Sequence, residues 1–306
     1  MSLPVVLMAA VMVGSPLMGD VGGYLERSSE AEFRGEQLVS CDTPDGERRS
    51  VFQLAQVDGG AVAWEEGEEA PIVGVAPGLS VTVTGEVVES SVVEGSQVVS
   101  PDRYSVEERE EGSYLGRRTE DVSLLRDDVE RVRLTVDAAT DAVLRTLTYR
   151  ADGSLYCDRR LLSFDQDVSR VPEVIAGGDS QPMAPMDTDP DSLPRSVEGF
   201  ELVDTYSLDD DTLSYYSDGF FSVGVAITSR PISLSAPEEV VDFETDDGRY
   251  RRSYQAGSVT VTWEADEGNL VLIGDVPPDL VDAFLAELPP PSQEGFFGRI
   301  WSRLFG

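Results

Sequence analysis

The sequence predicts an α+β protein: a curved antiparallel sheet, a proline-rich connection, then a smaller α+β unit. Three observations carry this reading. Short segments of alternating apolar and polar residues recur between Gln37 and Phe164, with Asp- and Gly-rich turns between them. Five prolines fall between Pro172 and Pro194, mixed with Gly, Ser and Asp, which is linker composition. Beyond them strand signals resume and end in one amphipathic helix that opens on proline. A chain of 306 residues is long enough for two modest domains.

At the N-terminus Leu3–Met18 is largely apolar, LPVVLMAAVMVGSPLM, but short and interrupted by Pro16, so it does not read as a membrane span. It resembles the core of a secretory signal without the usual preceding Arg or Lys; a buried N-terminal segment is the alternative. Residues 20–32 read as a short amphipathic helix. Strands follow at Gln37–Cys41, Ser50–Val57 and Ala61–Glu65, with turns at Asp45-Gly46 and Asp58-Gly59-Gly60. Weaker strands fall at Ser80–Thr84 and Glu86–Val93. A regular meander then runs through Arg103–Glu110, Tyr114–Leu125, Glu130–Val136, Ala142–Tyr149 and Ser154–Phe164. In it Val132, Leu134 and Val136 alternate with Arg131, Arg133 and Thr135, the pattern of a sheet buried on one face and wet on the other. The buried face needs a cover, and the helix content upstream is small. An open apolar groove suited to a lipid or acyl chain is therefore expected.

After the connection at 171–195, strands are expected at Phe200–Tyr206, Leu213–Tyr216, Phe220–Thr228, Ser258–Glu264 and Asn269–Gly274. Ser235–Asp242 reads as a short helix and Thr245–Tyr254 as a loop or weak strand. The helix at Pro278–Leu288 puts Leu280, Val281, Phe284, Leu285 and Leu288 on one face, expected to pack on the small-residue side of the sheet. The domain boundaries this implies are 1–19, 20–170, 171–195, 196–290 and 291–306.

Composition limits the chemistry. There are 58 acidic residues against 23 basic ones, a net charge of −35, and all 23 are arginine, with no lysine or histidine. Such a surface repels phosphate backbones, so nucleic-acid binding is not expected. Without histidine or lysine, Ser-His-Asp and Cys-His nucleophiles, His-ligated zinc, Schiff bases and phosphate loops are excluded. Carboxylate-pair hydrolysis survives in principle, but pairs such as Glu65/Glu66 read as solvated surface among so many carboxylates. No cofactor and no metal are expected. The reading is a protein that binds, not an enzyme.

Cys41 and Cys157 are the only cysteines, both in strand-like segments. One disulfide between them would close a long loop and stabilise by about 3–5 kcal/mol in the chain-entropy model; two unrelated buried thiols are the alternative. The segment Leu213–Ile227, LSYYSDGFFSVGVAI, is a hairpin: Asp218-Gly219 supplies the turn, and Phe221, Val223, Val225 and Ile227 alternate with small residues. Tyr215, Tyr216, Asp218 and Phe220 at the turn and its rim are candidate partner contacts, with a sheet core as the plainer reading. In the tail, GFFGRIWSRLFG, Phe296, Phe297, Ile300, Trp301, Leu304 and Phe305 share a helical face opposite Arg299 and Arg303. That face suits a membrane interface or a partner, or else covers an apolar patch of its own domain.

Several segments resemble the exported sigma-E regulatory proteins of the MucB/RseB type. They are LPRSVEGFELV (Leu193–Val203), YSDGFFSVGVAI (Tyr216–Ile227) and VLIGDVPPDLVDAF (Val271–Phe284), in the family's order and spacing. FRGEQLV (Phe33–Val39), YLGRRTEDVSLL (Tyr114–Leu125) and RVRLTVDAATDAVLRT (Arg131–Thr146) resemble the first-domain pattern. The resemblance implies a LolA-like N-terminal domain, a half-barrel sheet wrapped over helices, and a smaller C-terminal α/β domain of sandwich type. It also implies an exported, extracytoplasmic negative regulator of an envelope-stress sigma factor. Such a protein binds the extracytoplasmic part of a membrane anti-sigma factor and shields it from proteolysis, with a lipid or lipoprotein ligand as relieving signal. A LolA-type lipid or lipoprotein carrier is the alternative; it needs only the first domain and leaves the second unexplained. A carboxylate-dependent hydrolase has no motif in its favour.

Overall fold

The computed structural model describes residues 3–4, 27–28, 30–57, 60–64, 73–76, 79–84, 87–92, 103–169, 184–185, 192–208, 211–229, 232–233, 240–245, 248–255 and 257–292. Most of the N-terminal apolar segment, most of the 20–32 helix, most of the 171–195 connection and the aromatic tail lie outside them.

After the two-residue strand β1 (Leu3–Pro4), eleven strands form the first sheet. They are β2 (Phe33–Thr43), β3 (Gly46–Val57), β4 (Gly60–Trp64), β5 (Val73–Ala76), β6 (Leu79–Thr84), β7 (Val87–Val92), β8 (Ser105–Tyr114), β9 (Arg117–Arg126), β10 (Val129–Asp137), β11 (Val143–Tyr149) and β12 (Leu155–Leu161). Their spatial order is β7-β6-β5-β4-β3-β2-β12-β11-β10-β9-β8. The chain thus meanders outward from the middle, crosses to the other edge and meanders back until β12 pairs with β2.

This topology favours curvature. Ten inter-strand gaps would set β7 and β8 about 48 Å apart in a flat sheet. The thirteen residue steps from Val92 to Ser105 span at most about 45 Å when fully extended. A flat sheet would leave that connection at the limit of its reach, so the topology suits a sheet whose edges curve toward each other. At its centre Cys157 lies directly opposite Cys41 in the β12–β2 ladder, and the two are joined by a disulfide. Among the alternatives the sequence leaves open, the single bridge between the first and last strands is the one adopted.

The alternation in β10 is realised: Val132, Leu134 and Val136 are buried and pair with the β9 face that carries Val122 and Leu124. The β10–β11 turn is built on Asp137, which receives a bidentate pair of hydrogen bonds from Arg117 at 2.9 Å each and one from the Thr140 hydroxyl at 2.6 Å.

The second sheet has nine strands: β13 (Ala184–Pro185), β14 (Ser196–Val197), β15 (Phe200–Leu208), β16 (Asp211–Ser217), β17 (Ser222–Thr228), β19 (Val241–Thr245), β20 (Gly248–Gln255), β21 (Ser258–Ala265) and β22 (Gly268–Gly274). Its order is β13-β15-β16-β17-β22-β21-β20-β19, with β14 on β15, and every pairing is antiparallel. The remaining strand, β18 (Ile232–Ser233), pairs in parallel with β1. Helix α1 (Pro278–Glu287) follows β22, with proline in its first turn, and ends where the Leu288 N–H donates to the Phe284 carbonyl, just before Pro289.

Two expectations change here, and one left open is decided. Of the two readings of Thr245–Tyr254, loop or weak strand, the strand is adopted: Tyr250 and Tyr254 of Gly248–Gln255 are buried while Arg249 and Arg251 face outward. Val241 and Asp242, expected to end a short helix, instead open β19. Helix α1 packs on the large-residue face of the sheet and not the small one. Phe284 meets Phe200 edge-on at 5.0 Å and Tyr216 at 5.5 Å, and Tyr216 is the ladder partner of Val223. The aromatic face wins because it offers more apolar area to remove from water.

One buried cluster runs through both sheets, from Val122, Leu124, Val132 and Leu134 to Phe221, Val225, Leu272 and Phe284. The apolar face over β9 and β10, where an open groove was expected, is therefore occupied by the chain's own second half. A separate cluster of Phe33, Val39, Phe52, Leu54, Leu144, Leu161 and the two cysteines lies under Ala31, beside the helical residues Arg27 and Ser28.

Candidate functional site

The β16–β17 hairpin turns through Asp218-Gly219, with Gly219 at a φ of 93°, a conformation open to glycine at little cost. The turn is held from inside. The Ser217 hydroxyl accepts from the Gly219 N–H at 3.0 Å and donates to the Phe221 carbonyl at 3.1 Å. Asp218 Oδ1 accepts from the N–H groups of Phe220 and Phe221 at 3.0 and 2.8 Å. Its other oxygen points across to the first sheet, where the Tyr104 hydroxyl donates at 2.7 Å and Arg126 Nη1 at 3.2 Å.

This places the four residues nominated from the sequence. Asp218 has 0 % of its surface exposed, and burial raises its carboxyl above the usual range against the pull of Tyr104, the two amides and Arg126. Tyr216 is fully buried and donates its hydroxyl to the Pro194 carbonyl at 2.7 Å. Phe220 is buried against the Tyr104 ring, 5.8 Å away. Tyr215 alone retains partial exposure. The turn thus faces the first sheet, and its rim forms the junction between the two halves.

Further charged pairs cross that junction among the described residues, Arg103 and Glu201 at 3.5 Å being one. Arg252 of β20 and Asp45 of the β2–β3 turn form a bidentate pair at 2.7 and 2.9 Å. Arg131 of β10 donates to Asp279 in the first turn of α1 at 2.8 Å. Arg159 of β12 lies 3.6 Å from Asp275 and donates to the Gly257 carbonyl at 3.0 Å. Gly257 sits at a φ of 85°, which side chains rarely adopt, and an added Cβ would crowd the Arg159 guanidinium at 2.9 Å and Val39 at 3.0 Å. Arg126 also donates to the Glu198 carbonyl, tying β9 to the turn before β15.

Sequence reasoning missed Tyr104, Arg126, Arg131, Arg159, Asp45, Asp275 and Asp279 as a set, because none forms a local motif. The cue present was arithmetic: with 23 arginines among 58 acids, an arginine on a sheet's apolar flank is available for a buried pair. Burial raises the Asp275 carboxyl to about 6, with Arg159 opposing and Asp218 adding to the rise. Among the described residues no group of three His, Cys, Asp or Glu could hold a metal ion. Among the same residues no helix is long and apolar enough to cross a membrane. The tail residues Phe296, Phe297, Ile300, Trp301 and Leu304 lie outside the described residues.

The sequence matches no family model and no curated protein. Among solved structures, a chain of the Pseudomonas aeruginosa MucA/MucB complex superposes with a TM-score of 0.52 at 16% identity, over 90% of this chain and 100% of its own length. The chain has the MucB fold. A structure of MucB alone aligns at 17% identity over 89% of this chain and 98% of its own, with a TM-score of 0.49 that adds no separate argument. A LolA-superfamily protein from Nitrosomonas europaea aligns at 8% identity over 85% of this chain and 95% of its own, but its TM-score of 0.22 carries none. The MucB likeness extends over both sheets, so the second half belongs to the shared fold. At 16% identity it speaks to architecture and leaves individual side chains to this protein's own chemistry.

Proposed function

We propose that this protein is an exported negative regulator of an envelope-stress response, binding the extracytoplasmic part of a membrane anti-sigma factor and shielding it from proteolysis. The observation that carries the reading is the superposition on a chain of the MucA/MucB complex, which covers 90% of this chain and 100% of that one. A lipoprotein carrier needs only the first sheet, so the second half supports regulation over carriage. The absence of histidine and lysine supports binding over catalysis. The Cys41–Cys157 disulfide suits an oxidising compartment outside the cytoplasm.

In this reading Tyr215, the least buried of the four although its hydroxyl is desolvated beside Asp275, is the hairpin residue a partner would meet first. Tyr216, Asp218 and Phe220 reach one only if the two sheets separate, since all three are buried at the junction. A lipid signal is the finer part of the proposal, and the tail at 291–306 is its candidate membrane or partner contact. The test is co-purification of the tagged full chain from envelope extract. A single-span membrane protein that is degraded faster when the chain is deleted supports the regulator. Bound lipid with no protein partner overturns it in favour of the carrier.

A further inference from the structure

Asp275 follows β22 and precedes α1, at the point where the second half meets β12. It is 5 % exposed, and its Oδ1 accepts no hydrogen bond. Its one cationic neighbour, Arg159, stands 3.6 Å away and gives its close hydrogen bond to the Gly257 carbonyl. The other groups facing it are Tyr156 from β12, Tyr215 from β16 and the carboxylate of Asp218 from the β16–β17 turn. Burial holds both tyrosines neutral well above pH 7, pushing Tyr156 to about 12. The remaining junction arginines among the described residues are occupied: Arg103 by Glu201, Arg126 by Asp218 and the Glu198 carbonyl, Arg131 by Asp279, Arg252 by Asp45. An ionised Asp275 is therefore a buried charge with one cation at 3.6 Å, a hydrogen bond from its own backbone N–H, one bare oxygen and a like charge nearby, which is costly to keep dry.

We propose that Asp275 is a proton-operated latch on the junction: protonated it lets the two sheets close on each other, and ionised it favours their separation into water.

The geometry offers what such a latch needs. Separation at this point hydrates the bare oxygen and breaks charged pairs that water can re-solvate, and it is opposed by the apolar cluster shared by the two sheets, so the carboxyl shifts a balance weighted toward closure. The sign follows from linkage. The closed state holds the carboxyl at about 6 against 3.8 for an ordinary aspartate, so it binds more protons across that interval. Closure is thus favoured as pH falls through 6, and the gain levels off near the ordinary aspartate value. From pH 7 to pH 5 the closed-to-open ratio rises about tenfold. Acid tightens the junction and neutral pH loosens it, the reverse of what salt-bridged carboxylates do. This inference stands independently of the anti-sigma-factor reading.

The test is hydrogen exchange with mass analysis on the full chain at pH 5 and pH 7, corrected for intrinsic exchange. Peptides covering 215–221 and 155–161 report the junction, and one from the β10–β11 ladder serves as reference. The expected result is about tenfold greater protection of the junction peptides at pH 5, relative to the reference. In Asp275→Asn, neutral at position 275 at every pH, the difference between the two pH values should shrink to what the raised Asp218 carboxyl contributes. A wild-type junction that tracks the reference, or an Asp275→Asn protein that keeps the full wild-type pH response, overturns the proposal. Carboxyl-carbon NMR of the unmutated protein is the independent readout: a titration midpoint for Asp275 near 4 also overturns it. Asp218→Asn, which removes the nearby like charge, should move that midpoint downward.

Discussion

Tyr104 and Asp218 lie 114 positions apart, and the tyrosine hydroxyl donates to the carboxylate across 2.7 Å inside the junction of the two sheets. The same carboxylate caps the N–H groups of Phe220 and Phe221, so one side chain both shapes the hairpin turn and fastens it to the other half of the protein. Turn chemistry and inter-sheet contact are thereby linked at Asp218.

Replacing Asp218 with alanine should be among the most damaging single changes in the protein. It leaves two amides and a buried hydroxyl without their acceptor and takes from Arg126 its buried carboxylate, and loss of such a hub costs about 3–5 kcal/mol. Tyr104→Phe removes one donor only and should cost about 1–2 kcal/mol. Urea unfolding of both single variants and the double variant measures the coupling. If the two effects simply add, the bond between these residues carries no energy of its own.

The disulfide should contribute through the unfolded chain. Cys41 and Cys157 are separated by 116 residues, and closing a loop of that length stabilises by about 4–5 kcal/mol in the chain-entropy model. The Cys41→Ser, Cys157→Ser double variant should therefore melt well below the oxidised protein and match the wild type in excess reductant. Equal melting temperatures for oxidised and reduced wild type would show that the ladder alone sets this part of the sheet.

Much of the fold was legible because local rules and tertiary demands agree in it. Alternation in β10 and β17, the Asp-Gly turns and the proline-opened α1 all follow from residue pattern, and the resemblance in Leu193–Val203 and Val271–Phe284 extended them to an architecture. Strand β20 reads only as a loop or weak strand because GRYRRSYQ carries so much charge. The informative signal there was Tyr250, Arg252 and Tyr254 at a period of two, with Arg252 spending its charge on Asp45. The junction was not legible for a different reason. Its ion pairs join residues 92 to 207 positions apart, and in a sequence with 58 acids no spacing marks the two or three that are buried. The hairpin rim looked like a partner surface because aromatics beside a turn look alike whether the partner is another protein or the same chain.

Helix α1 should owe its place to Phe284, which is fully buried between Phe200 and Tyr216. Phe284→Ala should cost about 3–5 kcal/mol, and Phe284→Leu distinctly less. A loss below 1 kcal/mol by chemical unfolding would mean that the helix docks through its junction pair with Arg131 instead.

Asp137 should give the protein an acid-sensitive corner. Burial acts to raise its carboxyl, but hydrogen bonds from Arg117 and Thr140 win, and it lies below the ordinary carboxylate range. A group depressed in the folded state stabilises above its unfolded value and loses that contribution as pH falls through the folded one. Wild type should therefore lose stability below about pH 4 relative to Asp137→Asn, which has nothing there to protonate. Parallel stability curves for the two proteins between pH 5 and pH 2 would remove Asp137 from the account.

The tail offers the sharpest division between a membrane role and a structural one. Gly295–Gly306 carries four of its twelve residues as Phe or Trp and two as Arg, in a protein of net charge −35. If it lies in a membrane interface, its aromatic face supplies the affinity and Arg299 and Arg303 supply a preference for anionic headgroups over the repulsion of the rest of the chain. The full chain should then float with phosphatidylglycerol-containing vesicles more than with pure phosphatidylcholine, and a chain ending at Pro291 should not float with either. A truncated chain that floats like the full one excludes the membrane role. If truncation leaves flotation unchanged but lowers the melting temperature by several degrees, the tail is a cover for its own second sheet. In that case Trp301→Ala alone should reproduce most of the loss.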